Sequence, residues 1–139
     1  MSKEREIQQR LILLEQLREQ AEALQRRLVE IELFKSELER TIESLEFFEK
    51  SEGKTEALMN LGGGVFAYVD IVEKKKFLVD VGSGIVIEKE LREAIDFLNR
   101  KKENMEKTRA EIEEAIRSIA SRMESLQREI AELSKEAEK

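Results

Sequence analysis

Apolar residues recur through the first fifty positions at Ile7, Leu11, Leu14, Leu17, Ala21, Leu24, Leu28, Ile31, Phe34, Leu38, Ile42, Leu45 and Phe48. The steps are threes and fours, near the 3.5-residue average of a coiled-coil seam. They predict one helix from about residue 4 to about residue 51, roughly 70 Å long. Paired steps of three at Leu11–Leu14–Leu17, and of four at Phe34–Leu38–Ile42, would locally over- or underwind the supercoil. The end of the chain is more regular. Ile112, Ile116, Ile119, Met123, Leu126, Ile130, Leu133 and Ala137 keep strict four-three spacing. Ahead of them, Leu91, Ile95, Leu98 and Met105 share the seam with polar Lys102 and Thr108. Glu6–Arg10, Glu22–Arg26, Glu113–Arg117 and Glu124–Arg128 are set for ion pairs along the helix surfaces.

Between the arms the period changes. Val65–Val72, Phe77–Val81 and Ile85–Ile87 are rich in β-formers, and Thr55–Asn60 is a weaker strand. Gly62-Gly63-Gly64, Glu73-Lys74-Lys75 and Gly82-Ser83-Gly84 separate them. All six glycines fall between Gly53 and Gly84, and the chain has no proline. Glycine favours turns and weakens helix interiors, so three segments follow: a helix over 1–52, two β-hairpins over 53–90, and a helix over 91–139. The expected fold is α+β, a long antiparallel coiled-coil hairpin with two β-hairpins between its helices. Both faces of the strands are largely apolar, and isolated hairpins are marginal in water. The hairpins are therefore expected to be pooled between chains in an oligomeric sheet or barrel. The assembly residues are Val65, Phe66, Tyr68, Val69, Ile71, Phe77, Val79, Val81, Ile85 and Ile87.

Composition narrows the function. The 139 residues are 40% charged with no Trp, a profile of solvent-bathed helices rather than a thick core. A net charge of −6 disfavours nucleic acid and anionic membranes as partners. With no Cys and no His, the chain lacks disulfides, thiolate zinc sites and the commonest general base. No metal, cofactor or enzymatic activity is expected. No span or signal segment is evident, so a cytoplasmic location is expected; the Glu, Lys and Arg load is compatible with a thermophilic source.

Three motifs mimic binding sites. Gly53-Lys54-Thr55 ends like a phosphate-binding loop, but Phe48 stands where that loop needs Gly, and a helix precedes it. Gly62-Gly63-Gly64 fits a loose dinucleotide pattern, yet a strand follows where a helix is required. Lys74-Lys75-Lys76 reads as a solvated turn. One apolar feature exceeds what a seam needs: Ile12 and Leu13 join Leu11 and Leu14, nearly encircling the helix, and Ile130 and Leu133 should lie beside them. Two readings stand open, a locally widened core and an exposed tip that grips non-native chains.

Asn60-Leu61-Gly62-Gly63-Gly64-Val65-Phe66, and Val81-Gly82-Ser83-Gly84-Ile85-Val86-Ile87-Glu88-Lys89 followed by Ala94, resemble the Gly-bearing middle of prefoldin subunits. Two hairpins rather than one resemble the alpha class, and the small size resembles its archaeal members. The resemblance implies a hexamer of two alpha and four beta subunits, with a double β-barrel hub and six projecting coiled coils. It further implies an ATP-independent chaperone that holds non-native client proteins at the coil tips and passes them to a group II chaperonin. Ile7, Leu11, Ile12, Leu13, Leu14 and Leu17, with Leu126, Ile130 and Leu133, occupy the client-binding positions of that resemblance. Some relatives of the alpha class form filaments. The alternative expectation is a structural protein whose hairpin edges extend because the rotation between subunits does not close.

Overall fold

The structure is a computed structural model that describes residues 2–138; positions 1 and 139, the outer limits of the two expected arms, lie outside the described residues. Its elements are α1 (Lys3–Lys50), β1 (Thr55–Gly62), β2 (Val65–Ile71), β3 (Lys76–Gly82), β4 (Ile85–Glu90) and α2 (Leu91–Glu138). Two compact units cut across both helices. One runs through Phe34 and resumes at Asn104; the other is Lys35–Glu103.

In the first unit the helices run antiparallel. Lys3 pairs with Glu136 at 3.1 Å and Arg10 with Glu129 at 2.9 Å, seven residues up one helix matching seven down the other. Leu17, Ile31, Ile112 and Leu126 are buried between them. Ser2 caps α1, its Oγ accepting from the backbone N–H of Arg5 at 3.3 Å.

A strict alternation of three and four runs along α1 through positions that are all buried or half-buried: Ile7, Arg10, Leu14, Leu17, Ala21, Leu24, Leu28, Ile31, Lys35, Leu38, Ile42 and Leu45. This corrects the expected seam. Arg10 replaces Leu11 and Lys35 replaces Phe34, so the supposed irregular steps vanish. In α2, Arg109 rather than Thr108 continues the spacing from Met105 to Ile112. Long cationic side chains can lay their methylene stems along a seam while the charged head reaches outward. Several expected ion pairs also change, those of Arg10 and Arg109 because these residues lie on the seam. Arg10 faces the other helix, giving Glu6 only a bond to its backbone carbonyl. Glu22 instead bonds Arg18, Glu113 bonds Arg109, and Arg117 bonds Glu114.

In the second unit, Ile42, Leu45, Leu91, Ala94 and Ile95 form the core, with Phe48, Phe77, Val79 and Leu98 packed against it. The Phe48 and Phe77 rings stack at 5.9 Å. Glu39 and Lys102, and Glu49 and Arg92, pair between the helices at 3.4 and 3.7 Å. Gly53 ends the run out of α1 at a φ of 70°, a left-handed conformation that arrests a helix.

The strands form two separate antiparallel hairpins, β1–β2 and β3–β4. Each turns through two residues with left-handed φ values, Gly63 and Gly64 at 59° and 80°, Ser83 and Gly84 at 52° and 75°. Such turns match the twist of the flanking strands. Each also carries a register shift just before the turn, where an Asx side chain accepts a backbone N–H: Asn60 Oδ1 from Gly62 at 2.8 Å, Asp80 Oδ1 from Gly82 at 2.9 Å. The two hairpins are thus built on one local design.

Candidate functional site

Strand alternation sorts the hairpin side chains into two faces. In the first hairpin, Leu58 lies opposite Tyr68 and Asn60 opposite Phe66; in the second, Leu78 lies opposite Glu88 and Asp80 opposite Val86. These positions are exposed, Tyr68 by 80% and Leu78 by 76%. The other face turns toward the helices. There Phe77 and Val79 join the helical core, and Val69, Ile71 and Val81 are half-buried. The ten expected assembly residues are therefore divided: Phe77 and Val79 are engaged within the chain, while Val65, Phe66, Tyr68, Ile85 and Ile87 are exposed. Leu58, Met59, Leu61, Val72, Leu78 and Val86 belong to the exposed apolar set too, although sequence reasoning did not single them out. The available signal was strand alternation, which sets Leu58 opposite Tyr68 in the first hairpin and puts Leu78 between Phe77 and Val79 along β3. So much exposed aliphatic and aromatic surface on one small unit is the mark of a contact site.

The hairpins are anchored unequally. Hairpin β3–β4 contributes Phe77 and Val79 to the core, whereas β1–β2 contributes no member. A shallow groove runs beside β1–β2, lined by Phe47, Phe48, Thr55, Ala57 and Ile71 among others. The loop between hairpins is pinned. Lys74 Nζ donates to Ser51 Oγ at 2.9 Å and lies 6.0 Å from the Phe48 ring centre, while the Leu91 N–H donates to the Lys75 carbonyl at 2.9 Å. The basic run is thus a strut as well as a turn, because a lysine beside an aromatic face and a hydroxyl is held there.

The helix ends of the first unit carry the expected tip residues. Leu17 and Leu126 are buried in the seam; Ile7, Leu13, Leu14, Ile130 and Leu133 are half-buried; Leu11 and Ile12 are exposed, Ile12 by 61%. Leu13 and Leu126 line a shallow depression rimmed by Arg10, Arg122 and Glu129. Arg10 on the seam is what turns its neighbours Leu11 and Ile12 outward.

Charge on these arms is paired along the helix surfaces. The Arg18 guanidinium bonds Glu15 and holds its carboxyl below the usual carboxylate range. Arg109 bonds Glu106 and Glu113 and lies 3.7 Å from Glu32, and these carboxylates raise its pKa. Among the described residues no His, Cys, Asp or Glu group could hold a metal ion, and no helix is long and apolar enough to cross a membrane.

Compared with known proteins, residues 17–136 match the family model for "Prefoldin subunit". The chain belongs to the prefoldin family. Within that family it is similar to archaeal alpha subunits. It is 47% identical over 131 residues to prefoldin subunit alpha of Archaeoglobus fulgidus, covering 94% of this chain and 96% of the relative. It is 35% identical to prefoldin subunit alpha of Pyrococcus horikoshii, covering 88% and 78%. A filamentous prefoldin from Methanocaldococcus jannaschii, solved by cryo-electron microscopy, shares the fold at a TM-score of 0.74 and 20% identity, covering 84% of this chain and 96% of that one. The prefoldin fold accounts for two long helices with two hairpins between them.

Proposed function

We propose that this prefoldin chain is an ATP-independent holdase subunit of the alpha class. Its hairpins join those of beta subunits in a β-barrel hub of two alpha and four beta chains. Its helix ends hold non-native proteins and deliver them to a group II chaperonin, in the cytoplasm, without enzymatic chemistry. The observation that carries this reading is the placement of exposed apolar side chains, Leu58, Phe66, Tyr68 and Leu78 on the hairpins and Leu11 and Ile12 at the helix ends. Weak apolar contacts at several arms add through effective concentration, so capture needs no deep pocket.

The test is the native mass by light scattering, alone and with a prefoldin beta subunit. A discrete species of two alpha and four beta chains, absent when the chain is alone, is the expected result. Large polydisperse assemblies of the chain by itself would instead favour a filament. That second reading is supported by the two hairpins being separate two-stranded sheets, whose outer edges have no partner strand among the described residues. For the helix ends, the double substitution Ile12→Ser and Leu13→Ser is expected to impair suppression of client aggregation and to leave assembly intact. Unchanged suppression would overturn the tip assignment.

A further inference from the structure

Ile12 is not the only large apolar residue on the outward side of α1. Val29 is 60% exposed and Leu33 is 64% exposed. They stand four residues apart on a helix, and so form one contiguous patch. Neither supports the fold, since Leu28 and Ile31 supply the seam at that level. Leu33 lies three whole heptads beyond Ile12. Because the seam of α1 keeps strict heptad spacing, residues three heptads apart share one face. At 1.5 Å per residue the two are about 32 Å apart along the helix. Between them that face carries Glu19 and Arg26, so the apolar surface is two patches and not a stripe.

The area decides against a folded partner. A stable protein interface buries roughly 800 Å² on each side, far more than Val29 and Leu33 offer. A second copy of this chain would need a continuous strip, which Glu19 and Arg26 interrupt. An extended, unfolded chain needs neither. At about 3.3 Å per residue, some ten residues of it reach from one patch to the other. We infer that Val29 and Leu33 form a second contact for an extended apolar segment of a non-native polypeptide, in line with the contact at Leu11 and Ile12. This rests on the holdase reading of the helix ends and adds to it a length requirement. A segment long enough to touch both patches gains the second contact as an intramolecular event. Shorter segments bind the tip alone.

The experiment uses the full chain in its native assembly and two unstructured, fluorescently labelled Leu- and Val-rich peptides, of about six and about fourteen residues. Binding is read by anisotropy for the wild type, for Val29→Ser with Leu33→Ser, and for Leu11→Ser with Ile12→Ser. All four residues are exposed, so melting curves should be unchanged. The long peptide is expected to bind the Val29 and Leu33 variant about five- to tenfold more weakly than the wild type, with the short peptide unaffected. Equal losses for both lengths, or no loss for the long peptide, would overturn the second contact while leaving the tip in place. Failure of both peptides to bind the wild type would overturn the holdase reading and this inference together. A mass change of the assembly in the Val29 and Leu33 variant would assign the patch to a second copy instead.

Discussion

Two arginines at seam positions have opposite value. Arg10 has one cross-helix carboxylate, Glu129, and is partly exposed. A lone surface ion pair contributes little, and an apolar side chain at that position would pack between the helices. Arg10→Leu is expected to raise stability by about 1 kcal/mol, a few degrees in melting temperature by circular dichroism. Arg109 instead gathers Glu106, Glu113 and Glu32 around one guanidinium. Arg109→Leu removes the cation that these carboxylates share, so the melting temperature should fall, and fall less in high salt. Equal signs for the two substitutions would refute this contrast. Acid sensitivity follows the same chemistry at Glu15. Its carboxyl is held below the usual range by Arg18, so the folded form binds the proton less tightly than the unfolded one. The stabilisation is present above the unfolded value and is lost as pH falls through the depressed one. Glu15→Gln should flatten that acid-side decline in a pH series of melts. None of this was legible from the positions of apolar residues. Counting only Leu, Ile and Phe draws the seam through Leu11 and Phe34, whereas the helix uses the stems of Arg10 and Lys35.

At the scale of elements the sequence was more informative. Glycine confined to the middle of the chain separates helix from strand, and Gly63-Gly64 and Ser83-Gly84 supply the left-handed φ values that close both hairpins. Ser83 alone among these carries a side chain at positive φ. Ser83→Asn, a residue better suited to the first position of such a turn, should stabilise the second hairpin by a few tenths of a kcal/mol or about 1 at most. What the strand pattern could not reveal is the unequal anchoring, because alternation alone does not say which hairpin meets the helices. Phe77 and Val79 enter the core, and no residue of β1–β2 does. Amide exchange in the chain alone should therefore be faster across Thr55–Ile71 than across Lys76–Glu90. Addition of a beta subunit should slow both hairpins if assembly covers the exposed faces. Equal exchange in the chain alone would show that the second hairpin's core contacts hold it no better than the first.

At the scale of the whole molecule, assembly and capture should be separable, because the residues assigned to them lie in different compact units. Tyr68 and Leu78 are in the unit Lys35–Glu103, and Leu11 and Ile12 are in the other. Neither Tyr68 nor Leu78 contributes to the core of its own chain. Tyr68→Glu with Leu78→Glu should thus leave helix content and the melting curve of the isolated chain unchanged. Placing charge on both outer faces should nonetheless prevent association, since burying an unpaired carboxylate costs several kcal/mol. Light scattering with a beta subunit would then read uncomplexed chains. The individual arms would keep their exposed Leu11 and Ile12, yet suppression of client aggregation should drop steeply, because single weak contacts lose the effective concentration that several arms provide. A variant that fails to assemble but still suppresses aggregation as well as the wild type would show that one arm suffices. That result would place the holding capacity in the coil itself and reduce the hairpins to a scaffold with no part in capture.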